Sequence, residues 1–216
     1  IAEYYRQVMG IPVVAVAGSV GKTSTKEMVA SVLSQRYRVL KTEGNFNNEL
    51  GVPLTIFRIR PEDEVAVLDF GEMHRLSKIA RPDVCVMTNI GLCHLENLKS
   101  RDGILKAKSE IFDYAADGCI ACLNGDDDKL RTLRDRAGIR PCFYGTGQGN
   151  DVWAEHIENR GLEGVDADIC AGAERVRVHI PIPGIHMVYN ALAGAAAGMA
   201  MGLGMQEIKE GIEALE

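Results

Sequence analysis

The sequence lacks an excess of positive charge. Its 216 residues include 24 lysines and arginines against 30 aspartates and glutamates, which gives a formal net charge of −6. This balance argues against electrostatic capture of nucleic acid or of an anionic membrane surface. Any anionic ligand must therefore be held by a local arrangement of residues.

The sequence also lacks a hydrophobic run long enough to cross a bilayer. Its most apolar stretch, Ala191 to Met205, is shorter than the about 20 residues that a spanning helix requires, and no charged signal-peptide flank accompanies it. The glycines and alanines of this stretch instead predict a helix packed tightly in the core. We therefore expect no membrane span in a chain long enough to bury a sizeable core.

A disulfide framework is a third missing feature. The six cysteines are scattered, and several lie inside apolar runs, as expected for buried thiols in the reducing cytoplasm. Cys119 and Cys122 form a C-x-x-C pair, but they lie in an apolar run that reads as a strand, where residues three apart point to opposite faces. Because no second such pair completes a zinc site, we interpret these cysteines as structural.

What the sequence does contain is an alternation of short β-branched runs with helical patterns. This order predicts an α/β fold, in which a mostly parallel sheet is flanked by helices within one domain, residues 1–216. From Gly145 onward a two-residue alternation, as in Val176, Val178 and Ile180, predicts a small antiparallel β portion near 145–184. The expected strands lie near 13–17, 38–41, 65–68, 84–89, 119–124 and 141–145, and the expected helices near 23–35, after Gly71, near 103–115, near 127–137 and from 188 to the end.

The clearest motif is GSVGKTS, which follows an apolar strand and precedes a helix. In that context Gly18 and Gly21 allow backbone N–H groups to turn toward an anion, and the helix N-terminus adds positive potential. Lys22 reaches the β- and γ-phosphates of a nucleotide, and Thr23 offers a hydroxyl group to Mg²⁺. The motif therefore predicts a P-loop.

This P-loop departs from the usual eight-residue pattern, because Val16 stands where the first glycine is expected. The alternative interpretation is a glycine-rich turn with a solvated lysine. The strand and helix on either side favour the phosphate site. The residues expected to contact the nucleotide are Gly18, Ser19, Val20, Gly21, Lys22, Thr23 and Ser24.

Further clusters of polar residues are ambiguous when each is taken alone. Asparagines after a strand are common turn formers, a single histidine is more often structural than a ligand, and two lysines on a helix usually form a solvated face. Several clusters nevertheless follow strand ends, where open α/β sheets bind ligands. They are Asn45, Asn47 and Asn48; His94; Lys106 and Lys108; Asn124 and Asp126; and His186 with Asn190 one helical turn later.

In their order and spacing these pieces resemble the central ATPase domain of the Mur ligases. The blocks that carry the resemblance are GSVGKTSTKEM, GNFNNELGVPLT, RPDVCVMTNIGLCHLE, GILKAKSEIF, LNGDD and HMVYNALA, and the likeness extends from about Ile11 to Leu215. TKEM and AKSEIF favour the branch of the family that adds D-alanyl-D-alanine to UDP-N-acetylmuramoyl-tripeptide over the branches that add single amino acids.

The resemblance implies an ATP-dependent ligase of peptidoglycan precursor synthesis in the cytoplasm. Such enzymes move the γ-phosphoryl group of ATP onto a substrate carboxylate, and an amine then displaces phosphate. Both steps concentrate negative charge, so cations must already be in place. The implied ligands are ATP, two Mg²⁺ ions and the two small-molecule substrates; we expect a monomer that binds no nucleic acid.

The resemblance also implies roles for single residues. Lys22 would bind the transferring phosphoryl group, and Thr23 would hold the Mg²⁺ that bridges the phosphates of ATP. His94 would help to hold a second metal, and Asn48 matches a polar active-site position. Lys108 matches a lysine that family members carry as a carbamate, an anionic group suited to orienting Mg²⁺ ligands. Contacts with adenine, ribose or the nucleotide side are expected from Asn124, Asp126, His186 and Asn190.

One segment departs from the family pattern. The family has a strand that ends in Glu-Met-Gly, whose Glu is a metal ligand, followed by several residues and then Gly-Glu at a helix start. Here the match to that helix start, Gly71 and Glu72, comes almost directly after the strand, so about half a dozen residues are missing between Leu68 and Asp69. Either Asp69 substitutes in a shortened loop or the printed sequence omits a segment; we favour omission.

Other interpretations stay open. A related ligase such as folylpolyglutamate synthase shares the P-loop and the carbamate lysine, although the triple-asparagine block and TKEM argue against it. A nucleotide-regulated switch would carry the Asn/Thr-Lys-x-Asp segment of GTPases, which the sequence lacks. Both ends fall inside helical patterns and indicate a fragment without a preceding UDP-binding domain and a following ligase domain, so the isolated chain is expected to be inactive as a ligase.

Overall fold

The computed structural model describes residues 1–91 and 100–215. Within these ranges the strands are β1 (Val13–Ala17), β2 (Val39–Lys41), β3 (Val65–Asp69), β4 (Val84–Met87), β5 (Cys119–Asn124), β6 (Ile139–Gly145), β7 (Val152–Asn159), β8 (Val165–Ala171) and β9 (Glu174–Ile180). The α-helices are α1 (Ala2–Met9), α2 (Lys22–Leu33), α3 (Gly51–Ile56), α4 (His74–Ala80), α5 (Arg101–Ser109), α6 (Asp128–Arg131), α7 (Met187–Ala200) and α8 (Met205–Glu213). Short 3₁₀ turns cover Glu110–Phe112, Thr132–Asp135 and Gly161–Glu163.

The strands form a single sheet in the order β2-β3-β1-β4-β5-β6-β7-β8-β9. Every pairing from β2 to β7 is parallel, and β7, β8 and β9 pair antiparallel. The predicted α/β fold with a small antiparallel portion is confirmed. The antiparallel strands prolong the main sheet, so the molecule has one continuous sheet with β1 among its inner strands.

Each face of the sheet carries its own apolar core. Val14 and Val16 of β1 point to one core, together with apolar residues of α2, α7 and α8. Val13, Ala15 and Ala17 point to the other core, with residues of α1, α3, α4 and α5. All five residues of β1 are fully buried, as is usual for an inner strand of a parallel sheet.

The small residues of α7 allow close helix packing, as predicted. A Cβ atom added to Gly194 would lie 2.9 Å from Met28 Cγ, and one added to Gly198 would lie 2.9 Å from Val32 Cγ1. In α8 a Cβ atom on Gly211 would lie 2.4 Å from the Cα of Val32. Glycine at these positions therefore lets α7 and α8 approach α2 closely.

Among the described residues, no helix is long and apolar enough to cross a membrane.

Side chains cap the starts of α5 and α6, and of these two helices only α5 begins earlier than expected. Ser100 accepts a hydrogen bond from the Gly103 N–H at 3.1 Å, so α5 begins earlier than expected. The Asp127 carboxylate caps α6 in the same way, at 2.9 Å from the N–H of Lys129.

The C-x-x-C cysteines lie on opposite faces, with Cys122 in one core and Cys119 in the other. The structural interpretation of this pair is thus supported.

Helix α8 covers the outer edge of β9. The Lys209 Nζ donates a hydrogen bond to the carbonyl of Arg177 at 2.8 Å. The His179 N–H donates to Glu213 Oε1 at 3.1 Å. Two backbone groups of the edge strand are therefore occupied by side chains of the helix.

Candidate functional site

The glycine-rich loop lies between β1 and α2 and has the backbone geometry of a phosphate cradle. Gly18 has a φ of 148°, and a Cβ atom there would lie 1.9 Å from Thr88 Oγ1. Gly21 has a φ of 83°, in the left-handed region, and immediately precedes the first helical residue, Lys22. Side chains are strained or excluded at both glycines, so the local conformation explains the motif.

Two residues after β4 hold this loop in place. Thr88 Oγ1 donates to the Val20 carbonyl at 2.7 Å, and Asn89 Nδ2 donates to the same oxygen at 3.0 Å. The N–H of Val20 donates to Asn89 Oδ1 at 3.1 Å, and the N–H of Gly91 donates to Ser19 Oγ at 3.0 Å. The sequence analysis missed the role of Thr88 and Asn89. Their position beyond the end of an inner parallel strand was the available signal.

A cavity of about 910 Å³ opens in front of the loop. Its volume is within the range of small-molecule and cofactor sites. The described residues that line it are Ser19, Val20, Gly21, Lys22, Thr23, Ser24, Thr25, Asn45, Asn47, Thr88, Asn89, Asn124, Tyr144, His186, Tyr189 and Asn190. Polar residues from four separate sequence clusters therefore meet around one cavity. Their roles as nucleotide contacts, which the family resemblance implies, stay predictions.

Lys108 reaches the same loop from α5. Its Nζ donates a hydrogen bond to the Gly18 carbonyl at 2.9 Å, and its side chain is partly buried. Lys108 thus lies beside the turn that begins the P-loop. Its neighbour on the same helix, Lys106, is exposed and lines a different cleft, with Asp113 and Arg136.

Asp69 is the last residue of β3 and lies beside β1, in register with Val16. Its side chain is fully buried; Oδ2 accepts a hydrogen bond from Asn47 Nδ2 at 3.3 Å. Oδ1 is buried and has no hydrogen-bond partner in the described part of the chain. A buried carboxylate oxygen without a hydrogen-bond partner lowers the stability of the fold unless a proton or a cation binds to it.

The charges around Asp69 determine how its carboxyl group behaves. Burial raises the pKa of Asp69, whereas the hydrogen bond from Asn47 and the positive charges of Lys22, Lys26 and Lys108 oppose that rise. The carboxyl group therefore lies within electrostatic reach of three lysines. The sequence analysis treated Asp69 only as one alternative, since its burial and its orphaned oxygen are not visible in the sequence.

The donor set fits a magnesium ion that is completed by a ligand. In the two described ranges, no group of three or more His, Cys, Asp or Glu side chains could hold a metal by itself. Mg²⁺ is usually held by one or two carboxylates together with waters and substrate phosphates. The described residues with suitable chemistry are Asp69, whose Oδ1 is unpartnered, and Thr23, an exposed hydroxyl residue that lines the cavity. The predicted ligand His94 lies outside the described residues.

Asn48 is directed toward α3. Its Oδ1 accepts hydrogen bonds from the N–H groups of Leu50 at 3.1 Å and Gly51 at 2.9 Å. It therefore caps the start of that helix and is not among the cavity-lining residues, whereas Asn45 and Asn47 are. Its active-site role stays a prediction.

Asp126 lies behind Tyr189, which lines the cavity; Asp126 itself is not among the cavity-lining residues. The Asp126 carboxylate accepts hydrogen bonds from the N–H and hydroxyl groups of Thr146 at 2.7 and 2.9 Å and from the Tyr189 hydroxyl at 3.0 Å. Burial raises the pKa of Asp126, but these hydrogen bonds outweigh it and lower the pKa overall. Nearby, Asn124 Nδ2 donates to the Thr88 carbonyl at 2.9 Å. Tyr189, which the sequence analysis did not select, links Asp126 to the cavity wall.

Asn190 and His186 lie at the start of α7. Asn190 is buried; its Oδ1 accepts a hydrogen bond from Thr25 Oγ1 at 2.8 Å, and its Nδ2 contacts Met187 Sδ at 3.1 Å. It therefore joins α7 to the P-loop helix α2. His186 is exposed and lines the cavity.

Comparison with known proteins gives a consistent result. The "Mur ligase middle domain" family matches residues 16–198. A Bacillus subtilis protein named UDP-N-acetylmuramoyl-tripeptide--D-alanyl-D-alanine ligase is 38% identical over 221 aligned positions, covering 100% of this chain and 47% of the relative. The chain thus spans about half the length of such relatives.

Solved structures of proteins named MurF also match this chain. The crystal structure of MurF from Acinetobacter baumannii superimposes with a TM-score of 0.92 at 35% identity, covering 100% of this chain and 48% of that one. The MurF ligase of Thermotoga maritima in complex with ADP gives a TM-score of 0.85 at 28% identity, with coverages of 96% and 50%. Together with the strand, P-loop and cavity described above, these matches assign the chain to the Mur ligase family, as a middle domain.

Proposed function

We propose that this chain is the ATP-binding central part of a cytoplasmic ligase that joins D-alanyl-D-alanine to UDP-N-acetylmuramoyl-tripeptide during peptidoglycan precursor synthesis. The observation that carries the proposal is the single cavity in front of the P-loop, where Lys22, Asn47 and Asn190 meet. A match that covers the whole of this chain and 47% of a relative named for that reaction supports it. The proposed enzyme forms ADP and works as a monomer.

The chain's own groups suit the transfer of a phosphoryl group. The P-loop N–H groups and the N-terminus of α2 would bind the ATP phosphates, and Lys22 would neutralise the charge that moves from ATP to the substrate carboxylate. Because Thr88 and Asn89 already fix the loop, little reorganisation is needed when the charge develops.

Mg²⁺ would supply further positive charge at the ATP phosphates. Thr23 and Asp69 would hold one such ion, the carboxylate through its unpartnered Oδ1. By family resemblance, His94 and a carbamylated Lys108 would serve a second ion. In this arrangement Asn47 orients the Asp69 carboxylate through the other oxygen.

A separate proposal is that the printed sequence omits a short segment between Leu68 and Asp69. Asp69 as the site carboxylate is the alternative, and its burial beside the P-loop supports that alternative. The intact mass of the natural protein distinguishes the two, because a mass equal to that of the continuous sequence across this interval excludes an omitted segment.

ADP release tests the proposed function. The full-length ligase that carries this domain is given ATP, Mg²⁺ and UDP-N-acetylmuramoyl-tripeptide, with and without D-alanyl-D-alanine. We expect ADP release that depends on the dipeptide. If release is independent of the dipeptide but ATP still binds, the acceptor assignment is wrong. The isolated 216-residue chain serves as a comparison; it is expected to bind ATP without forming product.

A further inference from the structure

Lys26 is completely buried, which is rare for a lysine. It lies on α2, one helical turn after Lys22. Its Nζ donates hydrogen bonds to the carbonyls of Thr42 at 2.6 Å and Gly44 at 3.4 Å, and it forms an ion pair with Glu27 at 3.0 Å. These partners offset the cost of removing the charged group from water.

The carbonyls that Lys26 contacts belong to the segment of residues 42–48, here called the asparagine loop. This loop connects β2 to α3 and carries Asn45 and Asn47 into the cavity. Lys26 therefore holds the backbone of the asparagine loop, although it does not itself line the cavity.

The asparagine loop also forms hydrogen bonds with the end of β3. The Asp69 N–H donates to Thr42 Oγ1 at 3.3 Å, and Asn47 Nδ2 donates to Asp69 Oδ2 at 3.3 Å. The Gly71 N–H also donates to the Asn47 carbonyl at 2.7 Å. Lys26 and Asp69 thus both form hydrogen bonds with the asparagine loop.

We propose that Lys26 is a positioning residue for the ligase reaction: it holds the asparagine loop so that Asn47 fixes the Asp69 carboxylate at the end of β3, beside the strand that leads into the P-loop. This inference rests on the proposed function. Removal of the amino group leaves the carbonyls of Thr42 and Gly44 buried or half-buried without their donor, so the loop should loosen. The P-loop, which is held by Thr88 and Asn89, should keep its conformation.

Lys41 provides a matched control. It pairs with the same Glu27 carboxylate, but its side chain is 47% exposed. Burial raises the pKa of Glu27, while hydrogen bonds from Lys41 and Lys26 more than compensate and lower it. Lys26→Met and Lys41→Met therefore each remove one amino group from Glu27, and only the first removes the donor to the asparagine loop carbonyls described above.

Hydrogen exchange on the 216-residue chain tests the placement without any ligand. In Lys26→Met, the backbone amides of the asparagine loop should exchange at least tenfold faster, while those of α2 and β1 keep their protection. Lys41→Met should match the wild type. Unchanged exchange in the asparagine loop of Lys26→Met would overturn the proposal. If Lys26→Met does not fold, Lys26→Gln keeps an N–H donor group and should give a smaller change at the same amides.

Steady-state kinetics of the full-length ligase test the consequence. We expect kcat of Lys26→Met to fall at least thirtyfold while KM for ATP changes less than threefold, with folded enzyme counted by ADP-binding stoichiometry. Lys26→Arg should recover part of kcat, because it restores donors to the loop. A kcat no lower than that of Lys41→Met would refute the role of Lys26. Absence of dipeptide-dependent turnover in the wild type would instead refute the proposed function, and the exchange result would still decide whether Lys26 holds the loop.

Discussion

Lys22 begins α2 and lines the cavity, so its ammonium group is placed for the phosphates of a nucleotide. Lys22→Ala should weaken ATP binding by about 10- to 100-fold, since a hydrogen bond to a charged group contributes about 1.5–3 kcal/mol. Titration calorimetry on the 216-residue chain measures this. Lys78→Ala, which changes an exposed lysine on α4, is the control and should bind as the wild type. An unchanged dissociation constant in Lys22→Ala would exclude the phosphate cradle.

Lys108 donates to the Gly18 carbonyl and is proposed to carry a carbamate. In the full-length ligase, Lys108→Ala should lower kcat by about 10²–10³-fold, the usual cost of removing one preorganised polar group. Formate or acetate should restore part of the rate by occupying the place of the carbamate. Lys106→Ala, on the exposed side of the same helix, should retain the wild-type rate and show no response to these acids. Full activity of Lys108→Ala without added acid would contradict the carbamate role.

At the scale of secondary-structure elements, the contact between α8 and α2 depends on Gly211. A Cβ atom there would meet backbone atoms of α2, 2.4 Å from Val32 Cα and 3.0 Å from the Ser31 carbonyl oxygen, and backbone cannot rotate away as a side chain can. Gly211→Ala should lower the free energy of unfolding by about 1–3 kcal/mol, despite the better helix propensity of alanine. Urea unfolding measures it.

The control for this element is Glu210→Ala, an exposed neighbour on α8. It should change the free energy of unfolding by no more than about 0.5 kcal/mol. If Gly211→Ala were as stable as Glu210→Ala, the helices would not be packed as closely as the geometry requires.

The antiparallel strands have a charged outer face whose stability should depend on pH. A hydrogen bond from His179, with a second from Arg160, lowers the pKa of Asp166. A carboxyl group whose pKa is depressed by folding stabilises the fold above its unfolded pKa of about 3.9, and that contribution is lost as the pH falls through the folded value. Asp166→Asn should therefore flatten the fall in unfolding free energy between about pH 4 and pH 2.

Urea unfolding at a series of pH values checks this expectation. The exposed Glu163→Gln, in the turn between β7 and β8, should keep the wild-type slope. An identical slope in Asp166→Asn would show that the ionised Asp166 carboxylate, bonded by His179 and Arg160, does not contribute to folding stability.

For the whole molecule, the features that could be predicted from the sequence are those that follow from local patterns of neighbouring residues. The alternation of β-branched runs and helical patterns was sufficient for the parallel sheet, and GSVGKTS was sufficient for the strand–loop–helix around Lys22. Local cues were also enough for the opposed faces of Cys119 and Cys122. These features depend on neighbouring residues, whose periodicity is visible in one dimension.

The rest depends on residues far apart in the chain. Thr88 lies far along the chain from Val20, and Asp69 lies far from Asn47, so no local pattern indicates that they meet. Burial also changes the meaning of a residue: Lys26 reads as an ordinary helix lysine in the sequence, yet its side chain is fully enclosed. Long-range pairing and desolvation are the two effects that sequence periodicity does not encode.

The contacts of α8 with β9 have a consequence beyond this fold. An open sheet exposes unpaired N–H and carbonyl groups along its last strand, and these form a template on which other polypeptides aggregate. Here Lys209 and Glu213 occupy the Arg177 carbonyl and the His179 N–H on that strand. A helix whose apolar face completes one core thereby also shields this edge of the sheet from adding foreign strands, and this protection is available only after α8 has been synthesised and has docked.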